Sequence, residues 1–306
     1  MNLSSPGTIH SLLKKHNLRP RKRFGQNFLV DANVLARIVA AANIQPGHNV
    51  LEIGTGLGVL TRALGEAVGL HGKVATVEID TALQAVQDET LAGLPHVARI
   101  HNDALELDWP SFLAEHFDGP VSVVANIPYN ITTPLITKML ENKARIDVVV
   151  LLVQKEVADR LGGAPGTSAY GSISVFVQAQ SKVETVATVS RKVFIPPPDV
   201  ESAILRLTPY QTPPVPMPDP DFYFAIVRAA FGQRRKSLNN ALSGDPRLAW
   251  DRDVAREVLE SAGIDAQRRG ESLSLAEFSQ LAEAAIQLGA PKPVLKIRAC
   301  VRDDDE

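Results

Sequence analysis

The stretch Leu51-Glu-Ile-Gly-Thr-Gly-Leu-Gly58 constrains this chain more than any other. Residues 48–51 read as the entry to a buried strand, and three glycines at alternate positions then turn the chain into a helix. Glycine lacks a Cβ, so such a turn can adopt positive φ and bring backbone amides close to a ligand. The following helix aims its N-terminal amides at whatever sits above the turn. The expectation is a nucleotide-like ligand.

The rest of the chain extends this pattern. Asp31 is placed to cap a helix running to about Asn43, with Val34, Leu35, Ile38 and Val39 on one face. Residues 74–79, 97–101, 121–125 and 147–153 read as further apolar strands, and 182–189 and 203–207 as two last ones. Strands alternating with amphipathic helices predict an α/β fold with a mostly parallel sheet covered on both faces. Six prolines between Pro209 and Pro220 stop any regular element. Beyond them, residues 222–231, 235–242, 253–262 and 274–288 read as helices, with Ser274 and Glu277 forming a capping box. The division expected is a basic N-terminal arm (1–30), a sheet domain (31–208), a proline-rich linker (209–220) and a small helical domain (221–306) with an acidic tail.

A formal net charge of -2 gives no global nucleic-acid signature, so any such function must come from local patches. Two exist. Residues 1–30 carry Lys14, Lys15, Arg19, Arg21, Lys22 and Arg23, and residues 222–240 carry Arg228, Arg234, Arg235 and Lys236, with no acid in either stretch. Both suit phosphate contacts, or are simply solvated basic surfaces. The single cysteine, Cys300, excludes a disulfide framework, a cysteine-rich zinc site and a cysteine-adduct mechanism on pyrimidine C5. No apolar stretch has transmembrane length, and the expected location is the cytoplasm.

Glu78, at the end of the second strand, can accept both hydroxyls of a ribose lying beyond the glycine turn. A dinucleotide would share that feature. However, the glycine spacing is not G-x-G-x-x-G, and Glu52 beside the turn would repel a pyrophosphate and attract an ammonium group. This favours S-adenosylmethionine over NAD. Asp103 follows the third strand and is either a partner for an adenine amino group or a solvated loop aspartate.

Asn126-Ile-Pro-Tyr129 lies at the carboxyl end of a central strand, where open α/β sheets bind ligands. Adenine N6 is a poor nucleophile because its lone pair is delocalised into the ring. An Asn126 side-chain oxygen and the Ile127 carbonyl can accept its two hydrogens and aim the nitrogen, while Tyr129 offers a face for an unpaired base. Phe194 either covers the base from the other side or is a core phenylalanine.

The set resembles the small-subunit (16S) ribosomal RNA adenine N6,N6-dimethyltransferase family. The resemblance rests on Gly25-Gln-Asn-Phe-Leu29, Glu52-Ile-Gly-Thr-Gly-Leu-Gly58, Glu78-Ile-Asp80, Asp103-Ala104 and Asn126-Ile-Pro-Tyr129. It continues through residues 194–202, 231–240, Arg269-Gly-Glu-Ser-Leu273 and Glu277-Phe278, covering roughly residues 19 to 288. It implies a Rossmann-like S-adenosylmethionine-dependent methyltransferase that modifies two adjacent adenosines near the 3′ end of 16S rRNA in an assembling 30S subunit. By carry-over, Gln26, Asn27, Leu29, Glu52, Gly54, Gly56, Gly58, Glu78, Ile79, Asp103, Ala104 and Asn126 form the cofactor set. Asn126, Ile127, Tyr129 and Phe194 hold the base, and Arg21, Lys22, Arg23, Arg234, Arg235 and Lys236 meet RNA. S-adenosylhomocysteine is the expected product. No metal and no membrane are expected, and the protein is expected to be a monomer.

Three other readings fit parts of the chain. A large-subunit rRNA adenosine methyltransferase shares the site, but the helical domain and residues 231–240 favour the small-subunit family. A binding factor that has lost catalysis conflicts with intact Asn126, Tyr129 and Glu78. A nicotinamide dehydrogenase accounts for Glu78 and leaves Asn126-Ile-Pro-Tyr129 without a purpose.

Overall fold

The computed structural model describes residues 2–293, and at Lys22 and Asn130 the backbone alone. Cys300 and the acidic tail lie outside the described residues. The chain divides into two compact units, Met1–Ala158 with Val183–Pro209 and Asp159–Lys182 with Tyr210–Glu306.

Among the described residues the first unit holds nine strands: β1 (Phe28–Leu29), β2 (Asn49–Ile53), β3 (Lys73–Glu78), β4 (Val97–His101), β5 (Val121–Asn126), β6 (Ile146–Gln154), β7 (Ser181–Val189), β8 (Phe194–Ile195) and β9 (Ser202–Pro209). Two residues of β7 fall beyond the unit's boundary. Seven strands make one sheet in the order β4-β3-β2-β5-β6-β9-β7, while β1 and β8 pair antiparallel on their own. The ladders from β4 to β6 are parallel, and β9 runs antiparallel to β6. The chain builds outward from β2 through β3 to β4, then returns to place β5 on the other side of β2. That reversal leaves a crevice at the carboxyl ends of β2 and β5.

Helices α1 (Pro6–Lys15), α2 (Ala32–Ala41), α3 (Val59–Val68), α4 (Gln84–Thr90), α5 (Trp109–His116) and α6 (Thr132–Glu141) accompany the sheet. Asp31 caps α2 by accepting the Asn33 and Val34 amides, each at 2.9 Å. The N-terminal arm is more structured than its composition suggests. In α1 the apolar residues Ile9, Leu12 and Leu13 are buried against Leu57, Val59, Leu83 and Val86. Their helical spacing is easily hidden among lysines and arginines.

Helix α7 (Lys155–Leu161) crosses the boundary, and the second unit contains α8 (Ser172–Gln178), α9 (Pro220–Gly232), α10 (Leu238–Ser243), α11 (Arg252–Ser261) and α12 (Leu275–Gln287). The domain division expected from the prolines needs correction, because residues 159–182 belong here. Their apolar side chains explain it. Tyr170, Val175 and Ala179 pack with Tyr223, Ile226 and Phe278, and the Tyr170 hydroxyl donates to the Leu273 carbonyl at 2.9 Å. The loop at 162–167 also joins this unit, with the Gly166 amide donating to the Glu271 carbonyl at 2.8 Å. At the start of α12, Ser274 and Glu277 form the capping box. Arg268 hydrogen-bonds Glu277, and with the cap it holds that carboxyl down to about 2.

Candidate active site

The carboxyl ends of β2, β3, β4 and β5 border a cavity of about 290 Å³. Gly54 and Gly56 line one part, Glu78 and Ile79 another, Asp103 and Ala104 a third, and Asn126, Ile127 and Tyr129 a fourth. Residues 23–28 of the arm close a further side. All of these belong to the first unit.

The glycine turn has φ values of 86°, 54° and 81° at Gly54, Gly56 and Gly58, a region that residues with a Cβ rarely adopt. It is tied to the neighbouring strand by the Gly54 amide, which donates to the Val77 carbonyl at 2.8 Å. Glu78 is 7% exposed. Its Oε2 accepts the Gly56 amide at 2.8 Å and its Oε1 the Asp80 amide at 2.9 Å. Burial raises its pKa against those two hydrogen bonds. Each carboxylate oxygen keeps a second acceptor site. Beside it Ile79 is 47% exposed, an apolar wall at the cavity. One Asp103 oxygen accepts the Leu105 amide at 2.8 Å.

Asn126 is the last residue of β5. Its Nδ2 donates to the Asn27 carbonyl at 3.1 Å, which leaves the side-chain oxygen as the acceptor available to a ligand. Ile127 is 1% exposed and follows Asn126 in the cavity wall. The Tyr129 hydroxyl lies 2.7 Å from Ser202 Oγ, and burial raises its pKa. The phenol therefore stays neutral and offers a ring face.

Four expected site residues do not line the cavity: Leu29, Glu52, Gly58 and Phe194. Leu29 and Phe194 face each other in the β1–β8 ladder, both are buried, and both join the core with Ile38 and Val189. Phe194 thus takes a core position, 2% exposed. Glu52 is fully buried, and its Oε2 accepts the hydroxyls of Thr61 at 2.5 Å and Thr76 at 2.6 Å. It makes no direct contact with the cavity that an ammonium group could use. Gly58 caps α3, and a Cβ there would come within 2.8 Å of Thr90 Oγ1 and 2.9 Å of Leu91 Cδ2. Its smallness serves packing.

The sequence reading also missed wall residues, Phe28 and Phe24. Phe28 is next to Leu29 in a strand, so side-chain alternation puts it on the opposite face, where its ring lies under Gly56. Phe24 carries the Arg23 guanidinium 4.5 Å from its ring centre. Among the basic residues, Arg21 is committed to an ion pair with Asp80 at 2.7 Å. The side chain of Lys22 lies outside the described residues. Arg234 bonds the Ser168 carbonyl at 3.2 Å and approaches Glu271 at 3.5 Å. Arg235 and Lys236 are exposed in the turn before α10, which starts at Leu238 rather than at Arg235.

The residue set suits S-adenosylmethionine: a buried acid with free acceptor sites for ribose hydroxyls, an apolar wall, and a glycine turn at positive φ whose Gly54 and Gly56 line the cavity. Among the described residues no group of three or more His, Cys, Asp or Glu is arranged to hold a metal ion. No described helix is long and apolar enough to cross a membrane.

Comparison with known proteins agrees with this chemistry. The model of the family described as "Ribosomal RNA adenine dimethylase" matches residues 17–281. The chain is 43% identical over 288 residues to ribosomal RNA small subunit methyltransferase A of Bacillus mycoides (strain KBAB4), covering 93% of this chain and 98% of that protein. The corresponding protein of Bacillus cereus (strain AH187) gives the same figures. Among solved structures, a dimethyladenosine transferase from Plasmodium falciparum superposes with a TM-score of 0.71 at 26% identity, over 86% of this chain and 98% of that one. The 23S rRNA methyltransferase ErmE superposes with a TM-score of 0.63 at 27% identity, over 84% and 99%.

Proposed function

Given that the chain belongs to the ribosomal RNA adenine dimethylase family, we propose that it dimethylates two adjacent adenosines near the 3′ end of 16S rRNA, within the assembling 30S subunit. Methyl transfer from S-adenosylmethionine to adenine of ribosomal RNA is its reaction. The choice of subunit rests on one observation: 43% identity across nearly the whole chain to enzymes named for the small subunit. The same reading has it acting as a monomer in the cytoplasm.

S-adenosylmethionine supplies an electrophilic methyl group on a sulfonium. Gly54, Gly56, Glu78, Ile79 and Asp103 are the residues that would hold it, with Gln26 and Asn27 closing over them. The chain's own task is to make a weak nucleophile reactive. The Asn126 side-chain oxygen and the Ile127 carbonyl accept the two N6 hydrogens, which fixes the direction of the nitrogen lone pair. Asn126 can do so only if its amide does not rotate, and the bond to Asn27 holds it. Tyr129 stacks on the base. A neutral phenol suits that role, because it adds no charge beside the target. No base is needed before transfer, since the cationic product amine loses its proton afterwards. Rate enhancement then comes from orientation and electrostatic alignment. After the first methylation one N6 hydrogen remains, so the second transfer uses one of the two acceptors.

The test is incubation with radiolabelled S-adenosylmethionine of small subunits that lack the terminal dimethyladenosines and, in parallel, of unmodified large-subunit RNA, followed by nuclease digestion and mass spectrometry. The expected product is N6,N6-dimethyladenosine at two neighbouring positions near the 3′ end. Label confined to large-subunit RNA would replace this reading with the 23S one.

A further inference from the structure

We propose that Asp80 is a positioning residue whose buried carboxylate fastens residues 19–26 over the cofactor cavity, so that cofactor release waits on that attachment. This rests on the cofactor reading above. Asp80 is 2% exposed and is not itself part of the cavity wall. Its Oδ1 accepts Arg21 Nη1 at 2.7 Å and its Oδ2 accepts Gln26 Nε2 at 2.9 Å. Gln26 in turn uses its Oε1 to accept the Arg21 amide at 2.9 Å, closing the segment into a ring. Among the described residues, these two bonds to Asp80 are the only side-chain hydrogen bonds from residues 19–26 to another element.

The attachment reaches the ligand-binding acid directly. The Asp80 amide donates to Glu78 Oε1 at 2.9 Å, and Glu78 Oε2 accepts the Gly56 amide at 2.8 Å. Arg21 and Gln26, Asp80, Glu78 and the glycine turn are thus consecutive links of one hydrogen-bonded chain. The segment so held contributes Arg23 through Gln26 to the cavity wall. Asn27 and Phe28 are held separately, by the Asn126 side chain at 3.1 Å and by the ladder to Ile195. The part of the wall that moves when Arg21 and Gln26 let go of Asp80 therefore ends at Gln26, and an enclosed ligand leaves past it. A buried carboxylate with charge-assisted partners is a strong fastening for so short a segment. Arg21 is the exchangeable end, because its side chain is 43% exposed while that of Asp80 is 3% exposed.

The experiment uses the full chain with Arg21→Gln, Asp80→Asn and the double variant. Release of S-adenosylhomocysteine is followed by rapid-mixing displacement with excess S-adenosylmethionine. Each single variant is expected to release it about tenfold faster, the scale of one charge-assisted bond, and the double variant no faster than the faster single. Asp80 also accepts the Ala82 amide at 3.2 Å, so Asp80→Asn can loosen a turn. Arg21→Gln leaves that cap intact and keeps the test valid. In the ligand-free protein, trypsin cleavage after Arg23 is expected to accelerate in both singles while cleavage at sites elsewhere in the chain keeps the wild-type rate. A general loss of stability would accelerate cleavage throughout the chain and leave the two substitutions independent. Unchanged release and unchanged cleavage overturn the proposal, and so do effects that multiply in the double variant. Wild-type protein that binds neither compound would remove the cofactor reading, while the ligand-free cleavage comparison still decides whether Asp80 holds the arm.

Discussion

Glu52 turns a motif residue into a measurable electrostatic cost. It is completely buried behind the glycine turn, and burial pushes its pKa from 4.5 to about 7. The Thr61 and Thr76 hydroxyls, both on Oε2, pull the other way without matching that push, and Oε1 has no partner among the described residues. In the unfolded chain the group titrates near 4.5. Between these two values the folded protein holds a proton that the unfolded chain has lost. Stability therefore falls as pH rises through that window, by about 1.4 kcal/mol per pH unit and about 3 kcal/mol in all. Below the window both states are protonated and above it both are ionised, so the contribution is flat on either side. Glu52→Gln keeps the shape and the acceptor oxygen but does not titrate. Urea unfolding of both proteins, followed by circular dichroism from pH 4 to pH 8, should show their stability difference moving by about 3 kcal/mol in the variant's favour. A difference that stays constant across that range would refute the assignment of a raised pKa to this carboxyl.

Other consequences are separable. Gly58→Ala combines a strained φ of 81° with a Cβ within 2.9 Å of both Thr90 and Leu91, and should cost about 2–3 kcal/mol in unfolding free energy; a loss below 0.5 kcal/mol, roughly the background for neutral sites, would contradict the packing role. Asn126→Ala should lower the methylation rate by about 10²–10³, while S-adenosylhomocysteine affinity by calorimetry stays within a few-fold. Unchanged turnover would remove Asn126 from the base site. Neutralising Arg235 and Lys236, exposed and adjacent, should flatten the slope of log K against log salt by about 2 for small-subunit binding. An unaltered slope would mean that this turn does not meet phosphate.

The fold was legible because its strongest signals are local. A strand, a glycine turn and a helix are written in eight residues, and Asp31, Ser274 and Glu277 announce helix starts through bonds to their own neighbours. What escaped was decided at a distance. Residues 159–182 lie before the prolines in sequence, yet Tyr170 is buried by side chains from α9 and α12. Helix α1 reads as a basic arm because six cations in the first thirty residues outweigh Ile9, Leu12 and Leu13. Arg21 looks like a free cation in sequence, and its partner is 59 residues away.

The four expected site residues that do not line the cavity share a cause that also says how far motif reasoning carries. A motif names consecutive residues, whereas a strand sends consecutive side chains to opposite faces and a tight turn uses some residues only to close itself. In the β1 motif Phe28 lies against Gly56 at the cavity and Leu29 enters the core, and the register Leu29↔Phe194 carries Phe194 in with it. In the turn motif Gly54 and Gly56 line the cavity, while Gly58 makes room for Thr90 and Leu91. The two acids divide in the same way. Glu78 faces the cavity, and Glu52, fully buried, bonds Thr61 and Thr76. Each motif thus specifies a ligand wall together with the packing that holds the wall still. The two halves should separate on substitution: Glu78→Ala should act first on cofactor affinity, and Phe194→Ala first on stability, by about 3–5 kcal/mol.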